Sequence, residues 1–101
     1  MAENRELETL KIAFKKARDI LDVTEEWSYS ITNKVDVDLS SEIRMKLFIM
    51  VYQKLFAVGG GDVEFMQHWM NSKNKALGDS PVNLCCSEAG LRKVLSYLKR
   101  K

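Results

Sequence analysis

The sequence predicts an all-α fold, a compact bundle of about six helices of which two are short. Three observations lead there. Apolar residues recur at steps of three and four through the long segments, the stripe of an amphipathic helix. The only period-two stretch, Val35, Val37 and Leu39 alternating with Lys34, Asp36 and Asp38, is too short and isolated to found a sheet. The composition, 46% hydrophobic and 30% charged with five Gly and one Pro in 101 residues, is that of a globular domain.

From Glu6 to Leu21, the positions Leu7, Leu10, Phe14, Ala17 and Leu21 share one helical face, while Lys11, Lys15, Lys16 and Arg18 lie elsewhere. Thr24 caps a short second helix over Glu25 to about Ile31, whose glutamates suit its positive end. Asn33 to Leu39 is then a linker with an extended habit. Ser40 or Ser41 caps the most apolar segment, with Ile43, Leu47, Met50, Val51 and Leu55 on one face and Phe48, Ile49, Tyr52 and Phe56 widening it. A helix apolar nearly all round is expected to be buried on several sides, so this is the central helix. Gly59, Gly60 and Gly61 end it, and Asp62 caps a helix carrying Val63, Phe65, Met66, Trp69 and Met70.

Lys73 to Ser80 is a polar connection with Asn74 and Gly78 as turn formers. Ser80 before Pro81 reads as a cap with proline at the first helical position, opening a helix of little more than one turn to about Cys86. Ser87 caps the last helix. On it Leu91, Val94, Leu95 and Leu98 form one face, and Lys99, Arg100 and Lys101 crowd the negative end.

A chain of this size buries roughly 60 to 70% of its unfolded surface, which supplies one core but not a core plus a deep catalytic cleft. The formal charge of +2 demands neither nucleic acid nor an anionic membrane, so any polyanion affinity must be local. No stretch reaches the roughly 18 to 20 apolar residues of a membrane span, and Met1 to Arg5 leads into Glu6 and Glu8 rather than a signal core. A soluble cytoplasmic protein is expected. Cys85 and Cys86 are sequence neighbours, and a bridge between them would close almost no loop, so they read as reduced structural thiols.

Few residues offer chemistry. His68 has no Ser or Cys partner at a motif-like spacing and reads as a helical histidine at or near the surface. Cys85, Cys86 and His68 would give a metal only three ligands, and adjacent cysteines lack the gap that lets both sulfurs face one zinc. The glycine run lacks the strand and the Lys-Ser/Thr of a phosphate loop. No carboxylate pair sits in an apolar setting that would separate acid from base. The methionines at 45, 50, 66 and 70 read as core filler. No enzyme, metal or cofactor is expected.

What remains unexplained by helix and turn chemistry is one ordered pattern: Trp69, Asn74, Leu77 with Gly78, Pro81, Leu84, Gly90 with Leu91, Val94, and Tyr97 with Leu98. It resembles the C-terminal toxin-binding domain of Xre, MbcA and ParS type antitoxins, as do the central helix with Tyr52 and the glycine-aspartate break. The resemblance covers roughly Ser41 to Leu98. Asp79 departs from it, standing where the family often has a second glycine after Leu-Gly.

The resemblance implies an antitoxin of a type II toxin–antitoxin pair that neutralises a RES-like, NAD-consuming toxin by covering its active-site entrance with the C-terminal helix, often as a homodimer. Residues 40–101 would be the toxin-binding domain and 1–39 an N-terminal helical region, a reduced or degenerate helix-turn-helix, within one compact unit. Carried over, Gly90, Val94, Tyr97 and Leu98 place the last helix, and Asn74, Leu77, Gly78 and Pro81 shape the turn that presents it. Lys99, Arg100 and Lys101 either face the site of the anionic substrate or simply stabilise the helix end. Deleting Arg92 to Lys101 is then expected to abolish neutralisation and leave the central core folded, while Trp69 is chiefly structural.

The competing reading is a DNA-binding autorepressor of the Xre type. About eighteen residues separate Leu21 from Leu39, room for one short helix rather than a positioning and a recognition helix. Lys11, Lys15, Lys16 and Arg18 could meet phosphates, although a solvated charged face is the reading preferred for them.

Overall fold

A computed structural model describes residues 2–22 and 39–100. Among them are five α-helices, four of seven residues or more, and no strand. They are α1 (Ala2–Ile20), α2 (Leu39–Gly59), α3 (Val63–Asn71), α4 (Pro81–Leu84) and α5 (Glu88–Lys99). The helix expected over Glu25 to Ile31 and the extended linker up to Asp38 lie outside the described residues.

One core joins the helices. Phe14, Ala17 and Leu21 of the α1 stripe are buried against Met45, Phe48, Val51 and Leu55 of α2, with the Phe14 and Phe48 rings edge-on at 5.3 Å. On the other flank of α2, α5 contributes Leu91, Val94, Leu95 and Leu98, and α3 contributes Met66 and Met70. The Gln67 amide donates to the Ile20 carbonyl at 2.8 Å, which ties the C-terminus of α1 to the side of α3. Asp22, just after α1, adopts the left-handed conformation at φ 58°.

The boundaries differ from the sequence expectation where end effects are weak. α1 starts at Ala2 rather than Glu6. Leu39 opens α2 instead of closing a linker, so Ser40 and Ser41 fall inside the first turn; frayed ends shift by a residue or two at little cost. α4 stops at Leu84, with Cys85 as its cap.

As expected, α2 is packed on several sides, by α1, α3 and α5. Its apolar circumference is nevertheless not wholly covered, since Met50 is 41% and Phe56 47% exposed and Tyr52 half-buried. The methionines at 45, 66 and 70 are core, whereas Met50 is not. Arg18 also departs from the expected solvated face, being half-buried and paired with Asp19 at 3.1 Å, while Lys11, Lys15 and Lys16 are exposed.

Removing Arg92 to Lys101 cannot spare the core, contrary to the sequence expectation. That stretch contains Val94, Leu95 and Leu98, each no more than 5% exposed. Taking three such side chains from one cluster removes several kcal/mol, at about 2–5 kcal/mol for each large aliphatic lost, from a domain whose whole stability is of order 5–15 kcal/mol.

Candidate functional site

The distinctive pattern of the sequence folds into one face built by the segment 72–80, α4 and α5. Asn74 organises the turn. Its side-chain oxygen accepts from the amides of Ala76 at 2.9 Å and Leu77 at 3.2 Å, its carbonyl accepts from the Gly78 amide at 2.8 Å, and its own amide donates to the Asp79 carbonyl at 3.1 Å. The last contact makes an isolated antiparallel bridge between Asn74 and Asp79. Gly78 lies between them at φ +88°, a conformation that L side chains rarely adopt. The connection is less polar than the sequence suggests, since Leu77 is turned inward and only 4% exposed.

Asp79 needs no glycine in its place. It is outside the positive-φ region, and its carboxylate accepts from the Ser80 amide at 2.7 Å and the Asn83 side-chain amide at 3.3 Å. Those two donors, the backbone one first, hold its carboxyl below the usual carboxylate range. Ser80 therefore occupies the N-cap position without a side-chain cap bond, contrary to the sequence reading; the carboxylate one residue earlier takes the Ser80 amide and reaches into the short helix through Asn83. The caps at Asp62 and Ser87 do form, accepting from Phe65 at 3.2 Å and Gly90 at 3.0 Å.

α5 has two distinct faces. Leu91, Val94, Leu95 and Leu98 form the inner one, and Lys93, Ser96, Tyr97 and Arg100 form the outer one, at the same i, i+3, i+4, i+7 spacing. The outer face and the turn residues Ala76 and Leu77 line a cleft of about 360 Å³. Tyr97 is half-buried and stacks on Trp69, ring centroids 6.3 Å apart and planes 22° from parallel, so α3 props the tyrosine from behind.

The residues singled out from the sequence thus divide. Leu77, Pro81, Gly90, Val94 and Leu98 are buried and set the position of the face. Asn74 is half-buried and holds the turn, and Gly78, Lys99 and Arg100 are exposed. Lys101 lies outside the described residues. Sequence reasoning missed Lys93 and Ser96, although their spacing to Tyr97 and Arg100 marks one helical stripe.

Nothing in this face is arranged for covalent chemistry. Cys85 is buried, and burial pushes its thiol well above the ordinary range. Cys86 is exposed and donates weakly to the Val82 carbonyl. His68 is exposed and lies 3.3 Å from the Ser72 hydroxyl. Among the described residues, no three His, Cys, Asp or Glu side chains come together as a metal would need, and no helix is long and apolar enough to cross a membrane.

Residues 54–100 match the model of the antitoxin Xre/MbcA/ParS C-terminal toxin-binding domain. That segment is similar to this family. The match begins inside α2, within the stretch from Ser41 expected from the sequence, and runs through the turn, α4 and α5 to Arg100. Antitoxin domains of this kind are non-enzymatic and bind a cognate toxin. No curated protein matches the chain.

Proposed function

We propose that the chain is the antitoxin of a type II pair and neutralises a RES-like, NAD-consuming toxin in the cytoplasm by laying α5 across its active-site entrance. The observation that carries this reading is the toxin-binding domain itself, whose last element is α5. The anatomy of that helix supports it. The inner face is locked into the core, so the outer face with Lys93, Ser96, Tyr97 and Arg100 is presented rigidly, and a pre-set surface loses less entropy on docking than a flexible tail. Homodimerisation, with residues 1–39 as a reduced helix-turn-helix appended to the domain, belongs to the same proposal.

The test is co-expression with a RES-domain toxin, the product of the adjacent gene being the first to try. The expected result is restored growth, a preserved NAD pool and copurification of the two proteins, with sedimentation giving the stoichiometry. A toxin that still drains NAD in the presence of the folded chain overturns the reading. The alternative, a DNA-binding autorepressor, draws on the exposed Lys11, Lys15 and Lys16 of α1. It predicts salt-sensitive binding to the chain's own promoter in the absence of any protein partner.

A further inference from the structure

We propose that the cleft between the Ala76–Leu77 turn and the outer face of α5 receives an acidic side chain of the toxin seated beside an apolar one, with Lys93 and Arg100 as its counter-charges. This rests on the toxin-binding reading above and adds the chemistry of the contact.

Charge is distributed very unevenly along the chain. Residues 73–101 hold seven basic and two acidic side chains, whereas residues 1–72 hold nine basic and twelve acidic. The near-neutral total conceals a positive C-terminal segment. Neither acid of that segment is available to the cleft cations. Asp79 is engaged by Ser80 and Asn83, and Glu88 takes both guanidinium contacts of Arg92, at 3.1 and 3.0 Å. Lys93 and Arg100 have no ion pair among the described residues.

Geometry then narrows the ligand. Lys93 and Arg100 are seven residues apart on one helix, about 10 Å along the axis, so they bracket the cleft from two ends. Between them the lining is Ala76, Leu77, the ring of Tyr97 and two hydroxyls, those of Ser96 and Tyr97. At about 360 Å³ the space lies near the bottom of the range for small-molecule pockets, so it suits one or two side chains rather than a cofactor. A phosphate backbone would call for cations along a polar track. An apolar floor flanked by two cations instead complements a carboxylate next to a hydrophobic group, the pairing found at the edge of a protein interface.

The experiment is calorimetric titration of the full chain with the RES-domain toxin used in that co-expression, comparing wild type, K93E/R100E and a K11E/K15E control with the same charge change on α1. Lys93 and Arg100 are exposed, so the double variant should retain its native circular dichroism. It is expected to bind about 100-fold more weakly, K93Q/R100Q about 10-fold more weakly, and the control like wild type, with added salt weakening wild type most. If K93E/R100E binds as tightly as wild type, the cleft assignment falls while the toxin-binding reading stands. If wild type itself does not bind, the toxin-binding reading falls and takes this one with it. Loss of affinity for a short DNA duplex in K93E/R100E, with toxin binding intact, also overturns the proposal and makes the basic segment a nucleic-acid surface.

Discussion

Gly90 in the first turn of α5 presses against the backbone of Leu84 at the end of α4: a Cβ at residue 90 would lie 2.6 Å from the Leu84 carbonyl carbon and 3.1 Å from its Cα, and would overlap the carbonyl oxygen outright. Helix propensity alone favours Ala over Gly by about 1 kcal/mol. Here the neighbour is backbone, which cannot rotate away, and overpacking of this kind costs about 1–3 kcal/mol or more. Gly90→Ala is therefore expected to lower the urea midpoint. A raised midpoint would show that α4 and α5 separate easily.

Trp69 is half-buried against Tyr97 and the core. Its truncation removes a stacked ring and opens a cavity, so Trp69→Ala should cost about 2–3 kcal/mol, less than a fully buried tryptophan, while Trp69→Phe should cost under half as much. Chemical denaturation measures both. An unchanged midpoint in Trp69→Ala, together with lost toxin binding, would make the indole a contact residue rather than a prop.

The paired cysteines should behave as opposites. Cys86 is exposed, while Cys85 is enclosed with its thiol held protonated by burial. A thiol reagent at mildly alkaline pH is expected to modify one sulfhydryl per native chain at once and the second only in denaturant. Two equally fast reactions would mean that α4 opens readily.

Asp79 gives the turn a pH dependence of known sign. Its folded carboxyl ionises below the ordinary value of 3.8, because the Ser80 amide and the Asn83 side chain favour the charged form. Its contribution is thus complete above that value and is lost as the pH falls through the lower, folded one. The stability difference between wild type and Asp79→Ala should be constant near neutrality and shrink in the acid range below about pH 4. A difference that grows on acidification would contradict the assignment.

Deletion of Arg92 to Lys101 should leave a chain without a cooperative unfolding transition, since Val94, Leu95 and Leu98 leave with it. Circular dichroism on heating checks this. A sharp transition in the shortened chain would show that α1, α2 and α3 suffice as a core.

What the sequence made legible was chiefly local. Asp62 and Ser87 cap as expected because a cap involves only the next three residues, and the α1 and α5 stripes identify their buried faces because each has a polar side for contrast. α2 has no such contrast, so periodicity could not show that Met50 and Phe56 would face outward. Ser80 stands at the N-cap position but makes no side-chain cap bond, and the residue type alone does not reveal that Asp79 would take the Ser80 amide instead. The order of Trp, Asn, Leu-Gly, Pro and Gly was enough to indicate the domain. The cleft was not readable, because Ala76 and Leu77 meet Lys93, Ser96, Tyr97 and Arg100 only once α4 has reversed the chain.

Since one face of α5 completes the interior while the other is offered outward, engagement and integrity form a single equilibrium. A partner held at a thousand times its dissociation constant would add about 4 kcal/mol to the resistance of this chain against opening. An unaccompanied copy lacks that protection, so proteases would clear solitary molecules first and leave the paired ones standing.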